Sequence, residues 1–205
     1  LSPPGPDGRH GFGLINDYIR SAMAKARVVI AEVNDQVPWV HAEGSPDMER
    51  ITAIIETSRP PLTAAPARIG PVDEVIGRNV ARYIEDGATL QIGMGAIPEA
   101  VARAIGDRRD LGFHSGMAGD FVVDLIEAGV ITNAHKAIDA GVSVTAVLLG
   151  RDKLYRFAER NPLIKLRPSW HTHDGDLHCL ERFVSVNSAL EVDLTGQIGA
   201  EETGG

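Results

Sequence analysis

Two short segments in the middle of the chain carry residue types that could do chemistry. The first reads Gln-x-Gly-x-Gly-x-Ile-Pro at 91–98, and the second reads His-Ser-Gly-Met at 114–117. Gly93 and Gly95 lie where a predicted strand ends and a predicted helix begins, so backbone N–H groups there would point outward at the positive end of the helix dipole and stabilise a phosphate or a developing oxyanion. The Gly-x-Gly alone is a weak signal, because such glycines most often serve conformation and the spacing is not the dinucleotide-binding fingerprint.

The two segments resemble a pair of turns in the acetyl-CoA hydrolase/transferase family, which includes the acetate and 4-hydroxybutyrate CoA-transferases. Other segments match the family's pattern in the same order, so that nearly the whole chain is covered. They are SPPGPDGRHGFG at 2–13, VVIAEVN at 28–34, LIEAGVITNA at 125–134 and VSVNSALEVDLTGQ at 184–197. The resemblance implies that CoA passes between a small acyl-CoA and a carboxylic acid, and that the chain is the central part of a longer protein.

The residue that this resemblance implies as the nucleophile is absent. In the family the second turn reads His-Ser/Thr-Glu-Met, and its Glu attacks the thioester to give a mixed anhydride and then a glutamyl-CoA thioester. Gly116 stands at that position and cannot form either intermediate. Three interpretations are open: a left-handed turn that favours glycine, a vacated volume that admits water for hydrolysis with His114 or Asp120 as the base, and a binding protein without chemistry.

The resemblance also implies which groups would stabilise the oxygen of each tetrahedral intermediate, namely the Gln91 side chain and the amides near Gly93 and Gly95. The candidate catalytic residues are Gln91, Gly93, Gly95, His114, Gly116 and Asp120. The residues expected to contact the CoA thioester are Gly95, Ala96, Ile97 and Met117. The thioester is a substrate, and we expect no cofactor.

Other reactive residue types are weaker candidates. His114 and Ser115 are adjacent, and neighbours on a strand point to opposite faces, so a Ser-His pair is not expected. Glu191 and Asp193 would share one face of a strand end and could replace the lost carboxylate, although solvated positions or a loop cap are more common. The segment HTHDGDLHC at 171–179 holds six residues of metal-ligand types but lacks the spacing of a structural zinc site, and we expect no metal.

Composition excludes several classes of protein. The chain has 205 residues, 43% of them hydrophobic, which is enough for a sizeable core. A net charge of −8 argues against binding nucleic acid through a broad basic face. We find neither an apolar run long enough to span a bilayer nor a signal pattern at the start, and the single cysteine, Cys179, cannot form an internal disulfide. We therefore expect a cytoplasmic protein without membrane or nucleic-acid partners.

Hydrophobic periodicity predicts helices alternating with strands. The predicted helices are 14–26, 72–84, one that starts at Pro98, 121–129 and 151–160, and the predicted strands are 27–33, 88–93, 111–114, 142–149 and a run within 183–194. This alternation predicts an α/β fold with an open, mostly parallel sheet and flanking helices. The resemblance implies that the fold is CoA-transferase-like.

Domain organisation follows from a Pro-rich segment that interrupts any regular element. We predict the end of an N-terminal CoA-transferase-like sub-domain at 1–58, a linker at 59–71 and an incomplete CoA-transferase-like C-terminal domain at 72–205. A sheet cut at both ends would leave unpaired strand edges and apolar faces. We therefore expect a homo-oligomer, such as the dimers that the resemblance implies, or association with a missing segment or a second chain.

Overall fold

The structure is a computed structural model that describes residues 1–200, the side chains of residues 175 and 176 excepted. The N-terminal part contains helix α1 (Ile19–Lys25), a short 3-10 helix (Met48–Arg50) and two strands, β1 (Ile30–Asn34) and β2 (Ala53–Thr57). These two strands pair in parallel as a small separate sheet.

The rest of the described chain alternates helices with strands. The helices are α2 (Pro71–Ala81), α3 (Ala96–Ala104), α4 (Asp120–Glu127), α5 (Asp152–Ala158) and α6 (Ser169–His173), with a 3-10 helix at Gly175–Cys179. The strands are β3 (Thr89–Ile92), β4 (Gly112–Ala118), β5 (Ser143–Leu148), β6 (Ile164–Leu166), β7 (Phe183–Val186), β8 (Glu191–Val192) and β9 (Ile198–Gly199).

Strands β3 to β7 form the central sheet in the order β6-β5-β4-β3-β7, and every pair in it is parallel. The strands β3, β4 and β5 are mostly buried, as expected of parallel strands covered on both faces. The core includes the fully buried side chains Val101, Ile105, Phe113, Val122 and Leu154. The predicted α/β fold with a mostly parallel sheet is confirmed. Over residues 1–200, no helix combines the length and the apolar character needed to cross a membrane.

Several predicted elements have different bounds in the structure. The helix predicted at 14–26 begins only at Ile19, because the preceding segment pairs with β5: the Asn16 N–H donates to the Ala146 carbonyl at 3.0 Å and the Leu148 N–H to the Leu14 carbonyl at 2.8 Å. The strand run predicted within 183–194 is split. It contains β7 and, after a break, β8, which pairs with β9 as an antiparallel hairpin.

The predicted linker lacks regular structure up to Gly70, but it is held against the rest of the molecule. The Ala64 N–H donates to the Gly150 carbonyl at 2.9 Å, and the Tyr155 hydroxyl donates to the Leu62 carbonyl at 2.7 Å. Its last residue, Pro71, is the first residue of α2, where a proline is favoured. The division of the chain at this segment stays a proposal.

The interpretation in which Gly116 forms a left-handed turn is wrong. Strand β4 does not end at His114 but continues through Gly116 to Ala118, and it pairs with β5 on both sides of the glycine. Extended backbone of this kind is open to any residue. Backbone conformation therefore does not explain the glycine at this position.

The close packing of α2 on α3 gives a stability prediction. A Cβ added at Gly77 would lie 2.7 Å from the backbone carbon and oxygen of Ala100. Alanine normally stabilises a helix interior by about 1 kcal/mol relative to glycine, whereas overpacking costs about 1–3 kcal/mol. We expect Gly77→Ala to lower the free energy of unfolding, measured by urea denaturation. The neighbouring exposed substitution Arg78→Ala should change it by no more than about 0.5 kcal/mol, and a stabilised Gly77→Ala protein would contradict the prediction.

Candidate active site

One face of the central sheet brings together polar side chains from two strands that are far apart in the sequence. Thr89 pairs with Gly112 of β4, and Gln91 pairs with Ser185 of β7. Because side chains alternate along strands, Gln91 and Ser185 lie on the same face as Gly116. All three are near the carboxyl ends of parallel strands, the edge at which open α/β sheets bind ligands.

The Gln91 side chain is held by a small polar network. Its Oε1 accepts hydrogen bonds from the Ser185 hydroxyl and from Asn187 Nδ2, the latter at 3.0 Å. Its Nε2 donates to Asn187 Oδ1 at 3.2 Å. A primary amide carries two N–H donors, so one donor of Gln91 is available to a ligand while the network fixes the orientation of the group.

The turn after β3 lies between a strand and a helix, as predicted, but its first amide N–H already donates a hydrogen bond. The Gly93 N–H donates to the Val186 carbonyl at 3.2 Å, so it cannot also serve as an oxyanion donor in this conformation. Gly95 has φ 123° and ψ −172°, a conformation that is essentially restricted to glycine. Met94 reaches the end of β4, since its sulfur lies 3.0 Å from where a Cβ of Gly119 would be. The turn and the end of β4 are therefore adjacent.

The residues expected to contact CoA lie on both sides of this turn. Ala96 and Ile97 are the first two residues of α3, and Ile97 packs partly against the core. The predicted helix start at Pro98 is two residues late, and a proline is tolerated there because first-turn N–H groups have no partner within the helix. Met117 is half-buried beside Val147 of β5 and, by alternation, faces away from the side of Gly116.

His114 is fully buried and is poorly suited to act as a base. Its Nε2 lies 3.1 Å from the His171 carbonyl, which can only accept, so Nε2 carries the proton. The opposite ring nitrogen, Nδ1, is buried without a hydrogen-bond partner in the described structure. Burial, with the Lys136 charge acting in the same direction, lowers the pKa of His114 to about 4. His114 is neutral at pH 7, and its single N–H donates to a backbone carbonyl of α6.

The Ser115 hydroxyl forms hydrogen bonds within the sheet. It donates to the Ile92 carbonyl at 3.1 Å and accepts from the Ile92 N–H at 3.3 Å. This hydroxyl bridges β3 and β4, and Ser115 is buried. The expectation that Ser115 and His114 do not form a catalytic pair agrees with their separate partners.

Gly116 faces the ring of His173, at the end of α6. A Cβ added at Gly116 would lie 2.6 Å from His173 Cε1 and 2.8 Å from its Nε2, which is closer than real Cβ atoms approach other atoms. The volume that a side chain at residue 116 would fill is therefore occupied by an imidazole. The interpretation in which Gly116 allows hydrolysis by water stays a hypothesis.

Asp120 is the first residue of α4, and its carboxylate accepts hydrogen bonds from residues at the start of α5. It accepts hydrogen bonds from the Arg151 N–H at 3.0 Å, from the Leu154 N–H at 3.3 Å and from Arg151 Nε at 2.5 Å. Burial acts to raise the pKa of Asp120, but the hydrogen bonds from Arg151 outweigh it, and the pKa lies below its usual value. Asp120 also lines a cleft of about 350 Å³ shared with Met94, and neither Gly116 nor His173 lines that cleft.

The other candidate carboxylates lie in the β8–β9 hairpin. Asp193 Oδ1 accepts from the Thr195 hydroxyl at 2.7 Å, from the Gln197 N–H at 2.9 Å and from the Thr195 N–H at 2.8 Å, and these bonds lower its pKa. Asp193 therefore stabilises the turn of the hairpin. Glu191 is exposed on β8.

A group of metal-ligand types is present among residues 1–200, and two of its members bind each other through their side chains. His114, Asp139 and His171 offer atoms within 4.8 Å of each other. The Asp139 carboxylate accepts from Arg167 with one oxygen and from His171 Nε2, at 2.7 Å, with the other. We interpret Asp139, Arg167 and His171 as a hydrogen-bonded cluster.

Sequence patterns do not mark three residues of this region as site residues: Ser185, Asn187 and His173. A signal for the first two exists, because Ser185 and Asn187 alternate with Val184 and Val186, but their pairing with Gln91 depends on a register that one strand does not reveal. His173 stands out in the sequence only as a metal-ligand type.

Solved structures place the fold in a known class. The chain matches the 4-hydroxybutyrate CoA-transferase of Porphyromonas gingivalis with a TM-score of 0.90 and 38% identity, over 96% of this chain and 51% of that one. It matches RipA from Yersinia pestis with a TM-score of 0.90 and 34% identity, over 98% of this chain and 47% of that one. The fold is CoA-transferase-like.

Sequence comparison identifies the family. The 4-hydroxybutyrate coenzyme A transferase of Clostridium kluyveri is 39% identical over all 205 residues. The family model for the acetyl-CoA hydrolase/transferase C-terminal domain matches residues 150–205. The chain belongs to the acetyl-CoA hydrolase/transferase family. It spans 48% of the Clostridium kluyveri protein, and about half the length of the curated relatives it matches.

The pKa of His114 gives a prediction about pH dependence. Between pH 6.5 and pH 4 the unfolded chain takes up a proton on this histidine that the folded chain does not, so the free energy of unfolding should fall as the pH is lowered through this window. The fall attributable to His114 should be no more than about 3 kcal/mol. His114→Gln should reduce it in urea denaturation, and an NMR titration of the His114 Cε1–H with a midpoint near 6.5 would contradict the prediction.

The contacts of Asp120 predict a structural role. We expect Asp120→Ala to lower the free energy of unfolding by about 1–2 kcal/mol because it removes acceptors at the start of α5. Asp120→Asn keeps an acceptor oxygen and should retain most of the stability and turnover of acyl-CoA substrates. A loss of about 100-fold or more in turnover by Asp120→Asn, with unchanged thermal unfolding, would instead support a role as a base.

Proposed function

We propose that this chain forms part of an acyl-CoA site, and that the protein carrying it transfers CoA between a small acyl-CoA and a carboxylic acid. The observation that carries the proposal is the Gln91, Ser185 and Asn187 network, which lies beside Gly116 at the carboxyl edge of β3 and β7. Relatives named as CoA transferases match 97% to 100% of the chain. Because the chain spans only half of them, its substrates and activity are inferred from the family.

In this proposal, Gln91 stabilises the oxyanion that forms when the thioester carbonyl is attacked. An amide held in place by Asn187 and Ser185 needs no reorganisation at the moment of reaction. Further donors would come from the turn at Gly95 and the first residues of α3, Ala96 and Ile97. The positive end of this helix also suits the phosphates of CoA, which a chain of net charge −8 must bind locally.

The step that follows the attack depends on residue 116. By resemblance, the Glu that would carry the acyl group and then CoA is replaced by Gly116, so a covalent intermediate at this position is impossible. A transfer reaction would need a different carboxylate. Among the candidate carboxylates, Asp120 and Asp193 are both held by backbone N–H groups.

A second candidate function is hydrolysis of the thioester by water. The specific observation in its favour is the exposed imidazole of His173 against Gly116, where the family would carry its nucleophile. A third possibility, an acyl-CoA-binding protein without chemistry, is an outcome of the activity test on Gln91.

Association with other polypeptide and a cytoplasmic location belong to the same proposal. Strand β2 is exposed along most of its length and carries Ile54 and Ile55, which are each more than half exposed. A two-stranded sheet with exposed apolar residues needs further cover to be stable. We propose that a second copy or polypeptide outside these 205 residues supplies it.

The role of Gln91 can be tested in the full-length protein that carries this sequence. Gln91→Ala should lower kcat/KM about 100-fold with acetyl-CoA or butyryl-CoA and a panel of small acids, because one oxyanion donor is lost. Gln197→Ala, on the exposed β8–β9 hairpin, is the matched control and should have no effect. Equal activity of the two variants would contradict the proposed role, and an unmodified protein without activity on any thioester would favour the binding function.

Covalent trapping distinguishes CoA transfer through an acylated carboxylate from hydrolysis of the thioester by water. If no carboxylate becomes acylated, borohydride in the presence of acyl-CoA should neither inactivate the protein nor add mass to it, because no glutamyl-CoA thioester forms. Mass spectrometry of the intact protein measures this directly. A CoA adduct on a carboxylate of the unmodified protein would show that transfer proceeds through another residue.

A further inference from the structure

The ring of His173 is in contact with Gly116 through the edge that carries Cε1 and Nε2. These two atoms lie 2.6 and 2.8 Å from a Cβ built at Gly116, whereas Nδ1 lies 3.8 Å away. The imidazole is exposed to solvent on its other side. A hydrogen-bonding group therefore occupies the position from which a side chain of residue 116 would reach a substrate.

The neighbouring Thr172 defines which nitrogen of this ring carries the proton. Thr172 is 1% exposed, and its hydroxyl donates to the Ser169 carbonyl at 3.4 Å. The same oxygen lies 2.8 Å from His173 Nδ1, and while its own proton is donated to Ser169 it can accept the Nδ1–H. The lone pair is then on Nε2, the nitrogen next to Gly116.

We propose that His173 is the general base that activates water for hydrolysis of a small acyl-CoA at Gly116. This inference rests on the second proposed function, hydrolysis, and deepens it by assigning the residue that takes the proton. Glycine at residue 116 is required because any side chain there would displace the ring.

The chemistry balances without a further reactant. Nε2 accepts a proton from water while the water oxygen bonds to the thioester carbonyl carbon, which gives a tetrahedral oxyanion that Gln91 stabilises. The oxyanion collapses, the carbon–sulfur bond breaks, and the proton on Nε2 passes to the leaving CoA thiolate. The products are a carboxylic acid and CoA thiol, and His173 returns to its neutral form.

The other candidate bases already form hydrogen bonds with neighbouring groups of the protein. His114 donates its one N–H to the His171 carbonyl and lies beneath α6 in full burial. The Asp120 carboxylate accepts three hydrogen bonds at the start of α5. His171 binds Asp139 through Nε2. His173 is the histidine of α6 whose second nitrogen faces Gly116.

The test uses the full-length protein with acetyl-CoA or butyryl-CoA, with and without a carboxylic acid acceptor. His173→Ala should lower the hydrolysis rate by about 100-fold or more, with unchanged binding of CoA in calorimetry. Added imidazole should restore part of the lost rate. The matched control is His135→Ala, an exposed histidine near Gly87 at the opposite end of β3, which should hydrolyse at the rate of the unmodified protein.

A second variant tests the contact itself. Gly116→Ala should lower hydrolysis to a similar extent, because its methyl group displaces the ring, and combining it with His173→Ala should cause little further loss. Thr172→Ser should retain the rate, whereas Thr172→Val should lose most of it because Nδ1 loses its acceptor. Independent, additive losses for Gly116→Ala and His173→Ala would overturn the proposal.

The outcomes separate this inference from the function on which it rests. Hydrolysis by the unmodified protein that survives His173→Ala would overturn the role of His173 and leave hydrolysis intact. An unmodified protein that binds acyl-CoA without hydrolysing it, or that only transfers CoA to an acid, would overturn both.

Discussion

The arrangement of the candidate site depends on the ion cluster around Asp139. This carboxylate, in the loop between α4 and β5, binds Arg167 just before α6 and the His171 ring within α6, and Arg167 also pairs with Glu43 at 2.7 Å. Burial acts to raise the pKa of Asp139, but the hydrogen bonds from Arg167 and His171 lower it, so the cluster stays charged. A helix of only five residues has little stability of its own. Its position over β4, and with it the position of His173, is therefore set by tertiary contacts with Asp139.

The same region explains why one buried histidine supports the structure while an exposed one is suited to chemistry. Burial disfavours a positive charge on His114, and the charge of Lys136 acts in the same direction. The Lys136 ammonium donates hydrogen bonds to the Phe113 and Val142 carbonyls at 3.1 and 2.7 Å. His114 then remains neutral and gives its N–H to α6. His173 lies at the solvent-facing end of that helix. The two rings differ in burial, although both lie near Gly116.

The sequence alone predicted the class of fold but not the contacts of the candidate site. Alternating apolar runs predicted the parallel sheet, and Pro71 with Asp73 marks the start of α2 as expected of a helix N-terminus. Periodicity could not show that β4 continues past His114, because Gly116 is read as a breaker when only the neighbouring residues are considered. The pairing of Gln91 with Asn187 joins positions 96 residues apart. Such contacts follow from strand order, which local patterns do not contain.

Gly116 and His173 are best understood as one feature of the molecule. A Cβ at residue 116 and the imidazole in its observed place would overlap, so a Glu in this position, as the family pattern has it, requires the ring of His173 to turn away. The chemical consequences differ as well. A carboxylate can hold the acyl group and then CoA covalently while one acid leaves and another enters, which makes the exchange reversible. An imidazole that only moves a proton holds neither group. In the hydrolysis proposed above, water would attack where the family carries its carboxylate, and the products would be free CoA and the carboxylic acid.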